Sequence, residues 1–193
     1  MPKKVDHDKM RSQLLAAAGE VFARYGYAAT GMRELAVALK VSTGTLYHYF
    51  SDKKTLFDQL VERAIESDLE ELENALTSLP SSPLSRLDAF LLLARREEVR
   101  LQLQMAVLME YARLARDNNS GDLSVLRKTH IRYATKLAGL LGVSRDQGEF
   151  LVHALTGLLL QRYVDANATS FAPFERQMRA FLETSTKEKK EIT

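Results

Sequence analysis

Apolar residues recur along this chain at intervals of three and four positions, and no segment alternates between apolar and polar residues. Spacing of this kind is typical of amphipathic α-helices, whereas strict alternation would indicate half-buried strands. The pattern therefore predicts an all-α protein. In the N-terminal part it predicts four helices: one over residues 10–25 with Tyr25 on its buried face, a second capped by Thr30, a third over residues 43–49, and a long fourth that begins after Asp52.

A segment with two prolines, residues 80–83, interrupts this pattern. Ser82 is suited to cap the next helix, and Pro83 to occupy its first turn, where no amide proton is required. We interpret the segment as a junction between two halves of the chain that the fourth helix links physically. Beyond it the pattern predicts further helices over residues 83–95, 97–117, 122–141, 145–166 and 173–185.

The composition excludes several classes of protein and of site. The 193 residues are 46% hydrophobic, enough for a packed core, and include no cysteine, so disulfides and thiolate metal sites are absent. The four histidines have no paired metal-ligand spacing, and no phosphate loop, nucleophile elbow or dinucleotide fingerprint occurs. We therefore expect no metal, no other cofactor and no enzymatic activity. No apolar run approaches the ~20 residues of a membrane span, and the N-terminus lacks an apolar signal segment, which favours a cytoplasmic protein.

Charge is distributed unevenly along the chain. Residues 1–60 hold nine Lys or Arg and six Asp or Glu, a balance of +3, whereas the remaining residues balance at −1. The local excess favours contact between the N-terminal part and an anionic partner such as nucleic acid. The net charge of the whole chain, +2, is too small to indicate such a partner by itself.

The segment Val41–Phe50 combines features that a DNA-reading helix needs. A short amphipathic helix and a tight turn precede it, and Ser42 is placed to cap it. Small residues follow at its N-terminus, where close approach to the major groove requires them, and side chains that can anchor phosphates come one turn later. Consecutive helical positions point about 100° apart, so Tyr47, His48 and Tyr49 do not all face the interior; we expect Tyr49 to pack inward.

Residues 10–60 resemble the N-terminal domain of the TetR family of transcriptional regulators. The resemblance rests on three segments, Thr30–Ala36, Val41–Phe50 and Asp52–Leu56. The Gly-Thr-Leu-Tyr and Tyr-Phe sequences of the second segment, together with the cap and lysine that open the fourth helix, make it specific. In the rest of the chain the resemblance is limited to length and helical character.

The resemblance also implies the architecture. It corresponds to an all-α chain with an N-terminal three-helix helix-turn-helix DNA-binding domain, residues 1–52, whose residues 1–8 form a flexible arm. A long fourth helix joins this domain to a C-terminal helical domain, residues 53–193, for ligand binding and dimerisation.

The resemblance assigns DNA contacts to the residues that match the family's motif. Arg33 corresponds to a position on the second helix that reaches a base edge or a phosphate. Lys53 corresponds to a lysine that contacts phosphate at the start of the fourth helix, where the helix dipole favours an anion. Leu46 and Phe50 are expected to hold the reading helix from the core side. The full set implied to contact double-stranded DNA is Thr30, Arg33, Ser42, Thr43, Gly44, Thr45, Tyr47, His48 and Lys53.

One residue departs from the family's pattern. Lys40 stands at the end of the second helix, where glycine is usual. If the turn requires a positive φ, a lysine is mildly strained there. Alternatively, Lys40 adds a cation beside the DNA phosphates, and the sequence leaves both interpretations open.

Polar groups interrupt otherwise apolar surfaces in the C-terminal helices, as they do in pockets that orient a small molecule. Singly, each is equally compatible with an edge or interface position. We expect a hydrophobic effector to contact Met105, Met109, Glu110, His130 and Tyr133. The last two helices carry more apolar surface than one chain is expected to bury, which predicts a homodimer through a four-helix bundle. The predicted interface includes Leu151, Leu155, Leu158, Leu159 and Phe181.

The sequence thus predicts a homodimeric, ligand-responsive transcriptional regulator, in first place a repressor. It would bind a pseudo-palindromic operator as a two-fold dimer and leave it when a small-molecule effector binds. The alternative from another class is a helical small-molecule-binding or protein-interaction module without specific DNA binding. Such a module would not need the polar recognition residues that are present here. Activation instead of repression stays open, because it depends on where the operator lies relative to the promoter.

Overall fold

The structure, a computed structural model, describes residues 7–77, 82–117 and 123–191, without the side chains of residues 117 and 185–191. Within these ranges it contains nine α-helices and no strand, as predicted for an all-α protein. No helix of the described ranges is long and apolar enough to cross a lipid bilayer. The helices are α1 (His7–Tyr25), α2 (Met32–Ala38), α3 (Thr43–Tyr49), α4 (Lys53–Leu76), α5 (Pro83–Arg96), α6 (Glu98–Asp117), α7 (Ser124–Leu141), α8 (Arg145–Val164) and α9 (Phe171–Glu191).

Local signals set the ends of most helices. Gly26, with a φ of 83°, follows the last residue of α1, as predicted for a left-handed helix ending. Asp52 caps α4, since its Oδ1 atom accepts a hydrogen bond from the Thr55 amide at 2.7 Å. This bond lowers the pKa of Asp52, because it stabilises the charged carboxylate. Ser144 and Gln147 form the predicted capping box at the start of α8.

Three predictions about helix ends and faces were wrong. The N-cap of α2 is Gly31, because the Thr30 hydroxyl instead donates to the carbonyl of Gly26 at 2.8 Å. Tyr25 is 57% exposed, so it does not lie on the buried face of α1. Helix α9 begins at Phe171, two residues before Pro173. A proline is tolerated there, because the first-turn amides of a helix have no intrahelical acceptor.

The segment expected to interrupt the chain is described only in part. Ser82 is the N-cap of α5 and Pro83 its first residue, as predicted, although the Ser82 side chain makes no capping hydrogen bond. Pro80 lies outside the described residues, as does the loop before α7. The arm expected over residues 1–8 is described only at His7 and Asp8, which form the first residues of α1.

The described helices pack into two compact units. The first comprises residues up to Glu66 together with Leu103–Thr129. The second comprises Ser67–Gln102 together with the residues from His130 onward. By these ranges, α4, α6 and α7 each contribute residues to both units. The domain boundary expected after residue 52 stays a prediction.

The first unit has an apolar core that holds its two shortest helices. Helices α2 and α3 have seven residues each, and isolated helices of that length are not stable in water. Burial of one large apolar side chain contributes roughly 1.5–3 kcal/mol, so contact with this core stabilises both. The side chains that are almost fully buried here are Phe22, Leu35, Leu46, Phe50, Leu56 and Phe57.

The second unit has a leucine-rich core and a close contact between α7 and α8. A Cβ atom at Gly148 of α8 would lie 2.6 Å from the Ala138 Cβ atom and 2.8 Å from the Ala134 carbonyl oxygen of α7. Glycine at this position therefore permits the two helices to approach closely. The most deeply buried side chains of this unit are Leu72, Leu87, Leu137, Leu141, Leu151 and Leu182.

Candidate DNA-binding surface

The turn between α2 and α3 is a Schellman motif built around Lys40. The Val41 amide donates to the carbonyl of Ala36 at 3.0 Å. The Lys40 amide donates to the carbonyl of Val37 at 3.1 Å, and these two bonds define this type of helix ending. Lys40 has a φ of 56°, so the turn does require the left-handed backbone. A residue with a Cβ atom adopts this conformation at a cost of roughly 1–2 kcal/mol.

Ser42 begins the third helix as predicted. Its Oγ atom accepts a hydrogen bond from the Thr45 amide at 2.9 Å, and the two hydroxyl oxygens lie 2.8 Å apart. The cap satisfies one of the four amides that a helix N-terminus leaves unpaired. Ser42 and Thr45 therefore orient the N-terminus of α3, while Thr43 and Gly44 lie between them on its outer side.

The inner face of α3 consists of apolar and aromatic side chains. Leu46 is fully buried and Phe50 nearly so, as predicted for residues that hold the helix in place. Tyr49 is 8% exposed, which confirms that it is the ring that packs inward. Its hydroxyl lies 3.2 Å from Nδ1 of His7, which connects α3 to the start of α1.

The outer face carries polar side chains that solvent can reach. Tyr47 is 50% exposed, and Gly44 and His48 are exposed beside it. On α2 and in the turn, Arg33 and Lys40 are also exposed, and neither forms an ion pair with another described residue. Two cations, one hydroxyl and one imidazole thus border a helix N-terminus made of small residues. The sequence predicted DNA contacts for all of these residues except Lys40, for which it left open whether the side chain is only strained or also adds a cation beside the phosphates.

Besides Ser42 and Thr45, two further residues of the predicted set have internal contacts. Thr30 is 2% exposed and its hydroxyl donates to the Gly26 carbonyl. The Thr30 side chain was predicted to contact DNA, but it does not lie on the candidate surface. The Lys53 ammonium donates to the Tyr27 carbonyl at 3.0 Å and lies 4.1 Å from the Tyr27 ring centroid. Burial lowers the pKa of Lys53, and the negative charges of Glu110 and Glu34 oppose that shift. Lys53 has further N–H groups for a phosphate, but its position depends on Tyr27.

The turn between α1 and α2 is held by a carboxylate from α6. Glu110 accepts a hydrogen bond from the Tyr27 amide at 2.7 Å and another from the Ala28 amide at 3.1 Å. Bonds to a charged acceptor are stronger than those between neutral groups. Glu110 was predicted to contact an effector, but both of its carboxylate oxygens instead accept hydrogen bonds from this turn.

An aromatic cluster lies beside this carboxylate. The Tyr27 ring packs edge-on against Phe57 at 4.8 Å and against Tyr111 at 5.1 Å, and the Tyr111 hydroxyl donates to Asp58 at 3.2 Å. Burial, with the nearby Tyr111 and Asp58, raises the pKa of Tyr27 to about 12, so its hydroxyl stays protonated at neutral pH. Residues 103–129 therefore contribute directly to the packing that orients the α1–α2 turn.

The second unit contains a cavity of about 140 Å³. Its wall includes a partly buried ion pair, in which Arg100 Nη1 lies 2.7 Å from Asp68 Oδ1. Burial raises the pKa of Asp68, although the Arg100 charge opposes the shift. Burial also raises the pKa of Tyr133, and the negative charge of Asp68 adds to that effect. The apolar part of the wall consists of Leu72, Phe90, Leu93, Ala94, Leu101, Val152, Leu155 and Leu159.

Only one of the predicted effector contacts lines this cavity. That residue is Tyr133. Met105 and Met109 belong to the first unit, where Met109 is 43% exposed, and His130 lies elsewhere on α7. Sequence reasoning missed Asp68 and Arg100. Each is a charged residue on the apolar face of its helix, α4 for Asp68 and α6 for Arg100, and this could have marked them as site residues. Their positions in the sequence do not indicate that the two side chains meet.

The predicted dimer interface needs a similar correction. Leu151, Leu155 and Leu159 are at most 7% exposed within the single chain, so they belong to its own core. Leu158 is partly buried, and the partly buried Phe181 packs against Phe150 with ring centroids 4.5 Å apart. The large hydrophobic residues that α8 exposes are instead Phe150, Leu160, Tyr163 and Val164, and Gly157 is exposed between them. The use of α8 and α9 as the interface stays a prediction.

Comparisons with known proteins agree with the geometry of the N-terminal helices. Residues 14–60 match the family model described as bacterial regulatory proteins, tetR family. The HTH-type transcriptional activator FasR of Mycolicibacterium smegmatis is 38% identical over 73 residues, which are 38% of this chain and 33% of the relative. An HTH-type transcriptional repressor of Mycobacterium tuberculosis is 39% identical over 69 residues, 34% of this chain and 36% of the relative. The chain thus spans about a third of the length of these curated relatives.

The likeness to solved structures extends over more of the chain. The structure of the fatty acid degradation regulator FadR from Bacillus halodurans covers 93% of this chain and 96% of its own, with a TM-score of 0.70 and 16% sequence identity. An identity this low shows the fold alone. Together these findings confirm the resemblance stated from the sequence, and each of the proteins named here is described as a regulator.

Proposed function

We propose that this chain, whose residues 14–60 match the tetR family model, is a homodimeric DNA-binding transcriptional regulator that responds to a small molecule. The observation that carries the proposal is the outer face of α3. A capped helix N-terminus with exposed Gly44, partly exposed Thr43 and no bulky side chain can approach base edges closely.

The residues around this N-terminus are suited to phosphates. Arg33 and Lys40 supply charge, and the exposed side chains of Tyr47 and His48 supply a hydroxyl and a ring nitrogen. Contacts of this type fix the register of a protein on the duplex, whereas the small residues at the tip of α3 read the sequence. We therefore propose that the left-handed Lys40 is both strained and useful, because it places a cation beside the reading helix.

The exposed face of α8 supports a two-fold dimer. Phe150, Gly157 and Val164 recur at intervals of seven residues, and therefore lie close to one line along the helix. A Cβ atom at Gly157 would meet nothing within 4 Å, so the surface there is open to a second helix. Two copies related by a two-fold axis would place their reading helices in half-sites about one helical turn of DNA, roughly 34–36 Å, apart.

The cavity of the second unit supports an effector with an apolar part and a polar end. Engineered apolar cavities of about 150 Å³ bind benzene, so a cavity of about 140 Å³ accepts a group of that size without rearrangement. A longer molecule must displace lining side chains. The structurally similar FadR of Bacillus halodurans is described as a fatty acid degradation regulator. We therefore place acyl compounds first among the effectors to test, with their polar end at Arg100, which is itself paired with Asp68 and Glu97.

Effector binding would act on DNA binding through two helices. Helix α4 carries Asp68 of the cavity and Lys53, and α6 carries Arg100 of the cavity and Glu110. A shift of either helix on effector binding would disturb the contacts that orient the α1–α2 turn. A coupling free energy of about 1–3 kcal/mol is enough to change operator affinity by about 5- to 150-fold. We propose repression with release by the effector as the mode of action.

Selection of bound duplexes from a randomised pool tests the DNA-binding part of the proposal. Purified full-length protein is expected to enrich a pseudo-palindrome whose half-site centres lie about 10 base pairs apart. The variant Thr43→Ala is expected to alter the enriched half-site, and Glu20→Gln, an exposed substitution on α1, is the matched control. Enrichment of no motif would support the alternative of an interaction module that does not bind DNA specifically.

A further inference from the structure

Two histidines from different helices lie side by side in the second unit. His130 of α7 and His153 of α8 stack with their ring centroids 4.8 Å apart and an angle of 14° between the ring planes. Glu149, one helical turn before His153, joins them. Each of the three side chains brings one potential ligand atom to within 4.8 Å of the others.

His130 has a buried ring nitrogen without a partner. Its Nε2 atom is inaccessible to solvent and makes no hydrogen bond with any described residue. Buried polar atoms are normally paired, because an unpaired one loses its hydration without compensation. Neither the candidate DNA-binding surface nor the cavity uses this side chain, so the group has no role in the proposed function.

We propose that His130, Glu149 and His153 form a binding site for a divalent transition-metal ion, and zinc fits best. Two imidazoles and one carboxylate form the protein ligand set of one class of three-ligand zinc sites, which leave a fourth position to water or another ligand. Nitrogen and oxygen donors without thiolates disfavour copper(I) and iron–sulfur clusters. Sequence reasoning predicted no metal, because His130 and His153 are far apart in the chain and only the contact between α7 and α8 unites them.

The distances permit coordination after a small side-chain movement. Zinc–nitrogen and zinc–oxygen bonds of about 2.0–2.2 Å place the donors of a tetrahedral site roughly 3.3 Å apart. The longest separation in the cluster would thus shorten by roughly 1.5 Å. His153 is exposed and Glu149 partly exposed, so rotation of their side chains can provide this movement. The backbones need not shift, since the small residues at Gly148 and Ala138 already hold α7 and α8 close together.

Metal titration of tag-free, full-length protein tests the proposal. The protein is first treated with a chelator and then titrated with Zn²⁺ in competition with a chromophoric chelator, and with Co²⁺ as a spectroscopic probe. We expect one equivalent per chain and visible cobalt absorption typical of a low-coordinate site. Each of His130→Ala and His153→Ala is expected to weaken binding by at least about 100-fold, and Glu149→Gln by less, because an amide oxygen is a neutral but competent ligand.

The controls separate this site from other histidines and from unfolding. His7→Ala removes a histidine of the first unit and is expected to bind zinc with wild-type affinity. His153 is exposed, so His153→Ala is expected to keep the wild-type circular dichroism spectrum without metal. Wild-type protein that binds less than one equivalent, or a folded His153→Ala variant with unchanged zinc affinity, would overturn the proposal.

Discussion

Replacement of Glu110 by glutamine removes a charged acceptor from the α1–α2 turn while the size of the side chain stays the same. In the wild type the carboxylate accepts from the amides of Tyr27 and Ala28, at 2.7 and 3.1 Å. Glutamine has a single acceptor oxygen, so one amide keeps a partner and the other faces an NH₂ donor. We therefore expect the variant to destabilise the first unit.

The magnitude follows from the two bonds. A hydrogen bond to a charged group contributes about 1.5–3 kcal/mol and one between neutral groups about 1 kcal/mol. The bond from Ala28 is exposed and the bond from Tyr27 partly buried, so the lower end of the charged range applies to both. Exchange of two such bonds for one neutral bond lowers the free energy of unfolding by about 2 kcal/mol.

Urea unfolding at a fixed protein concentration measures this change, since the stability of the proposed dimer would depend on concentration. The midpoint is expected to fall while the slope m is unchanged, because the folded and unfolded states expose the same surface as in the wild type. Glu20→Gln makes the same chemical change at an exposed site and should stay within about 0.5 kcal/mol of the wild type. A loss for Glu110→Gln that is no larger than that of the control would refute the assigned role.

Three further substitutions test the surfaces separately. Lys40→Gly removes a side chain from a position with positive φ, so urea unfolding should show unchanged or slightly higher stability. It also removes one cation, so the negative slope of log affinity for DNA against log salt should become less steep by about 0.9. An unchanged slope would mean that Lys40 is strained but does not contact a phosphate. Tyr47→Phe should weaken binding to operator and to unrelated duplex alike by about 1 kcal/mol, roughly fivefold, in fluorescence titrations. Gly157→Arg places a charge on the open face of α8 and should yield folded monomers by sedimentation, whereas a persistent dimer would exclude this face.

Local signals made the helix-turn-helix predictable. The Ser42 cap and the change from small to bulky residues after it define α3 as Thr43–Tyr49, and the structure has those bounds. Gly26 and Asp52 similarly predict where α1 ends and α4 begins, because each acts on residues within one turn of itself. Thr30 was misplaced for a related reason: Thr30 and Gly31 are both acceptable caps, and the hydrogen bond to Gly26 decided between them.

Contacts between distant segments were not predictable in this way. Glu110 and Tyr27 are 83 positions apart, and nothing around either residue indicates the other. The same holds for Asp68 with Arg100 and for His130 with His153. The leucines of α8 were assigned to a dimer interface because periodicity reveals an apolar face without revealing what covers it; the chain covers Leu155 with its own core.

Fluorescence anisotropy with the DNA immediately upstream of the protein's own gene tests the central claim, that this protein is a sequence-selective regulator. Full-length protein is titrated into that duplex and into a scrambled duplex at two salt concentrations, because non-specific binding depends steeply on salt. We predict that the upstream duplex binds at least about 10³-fold more tightly than the scrambled one, with a stoichiometry of two chains per site. Equal, strongly salt-dependent binding to both duplexes, or no binding to either, would contradict the claim for this DNA.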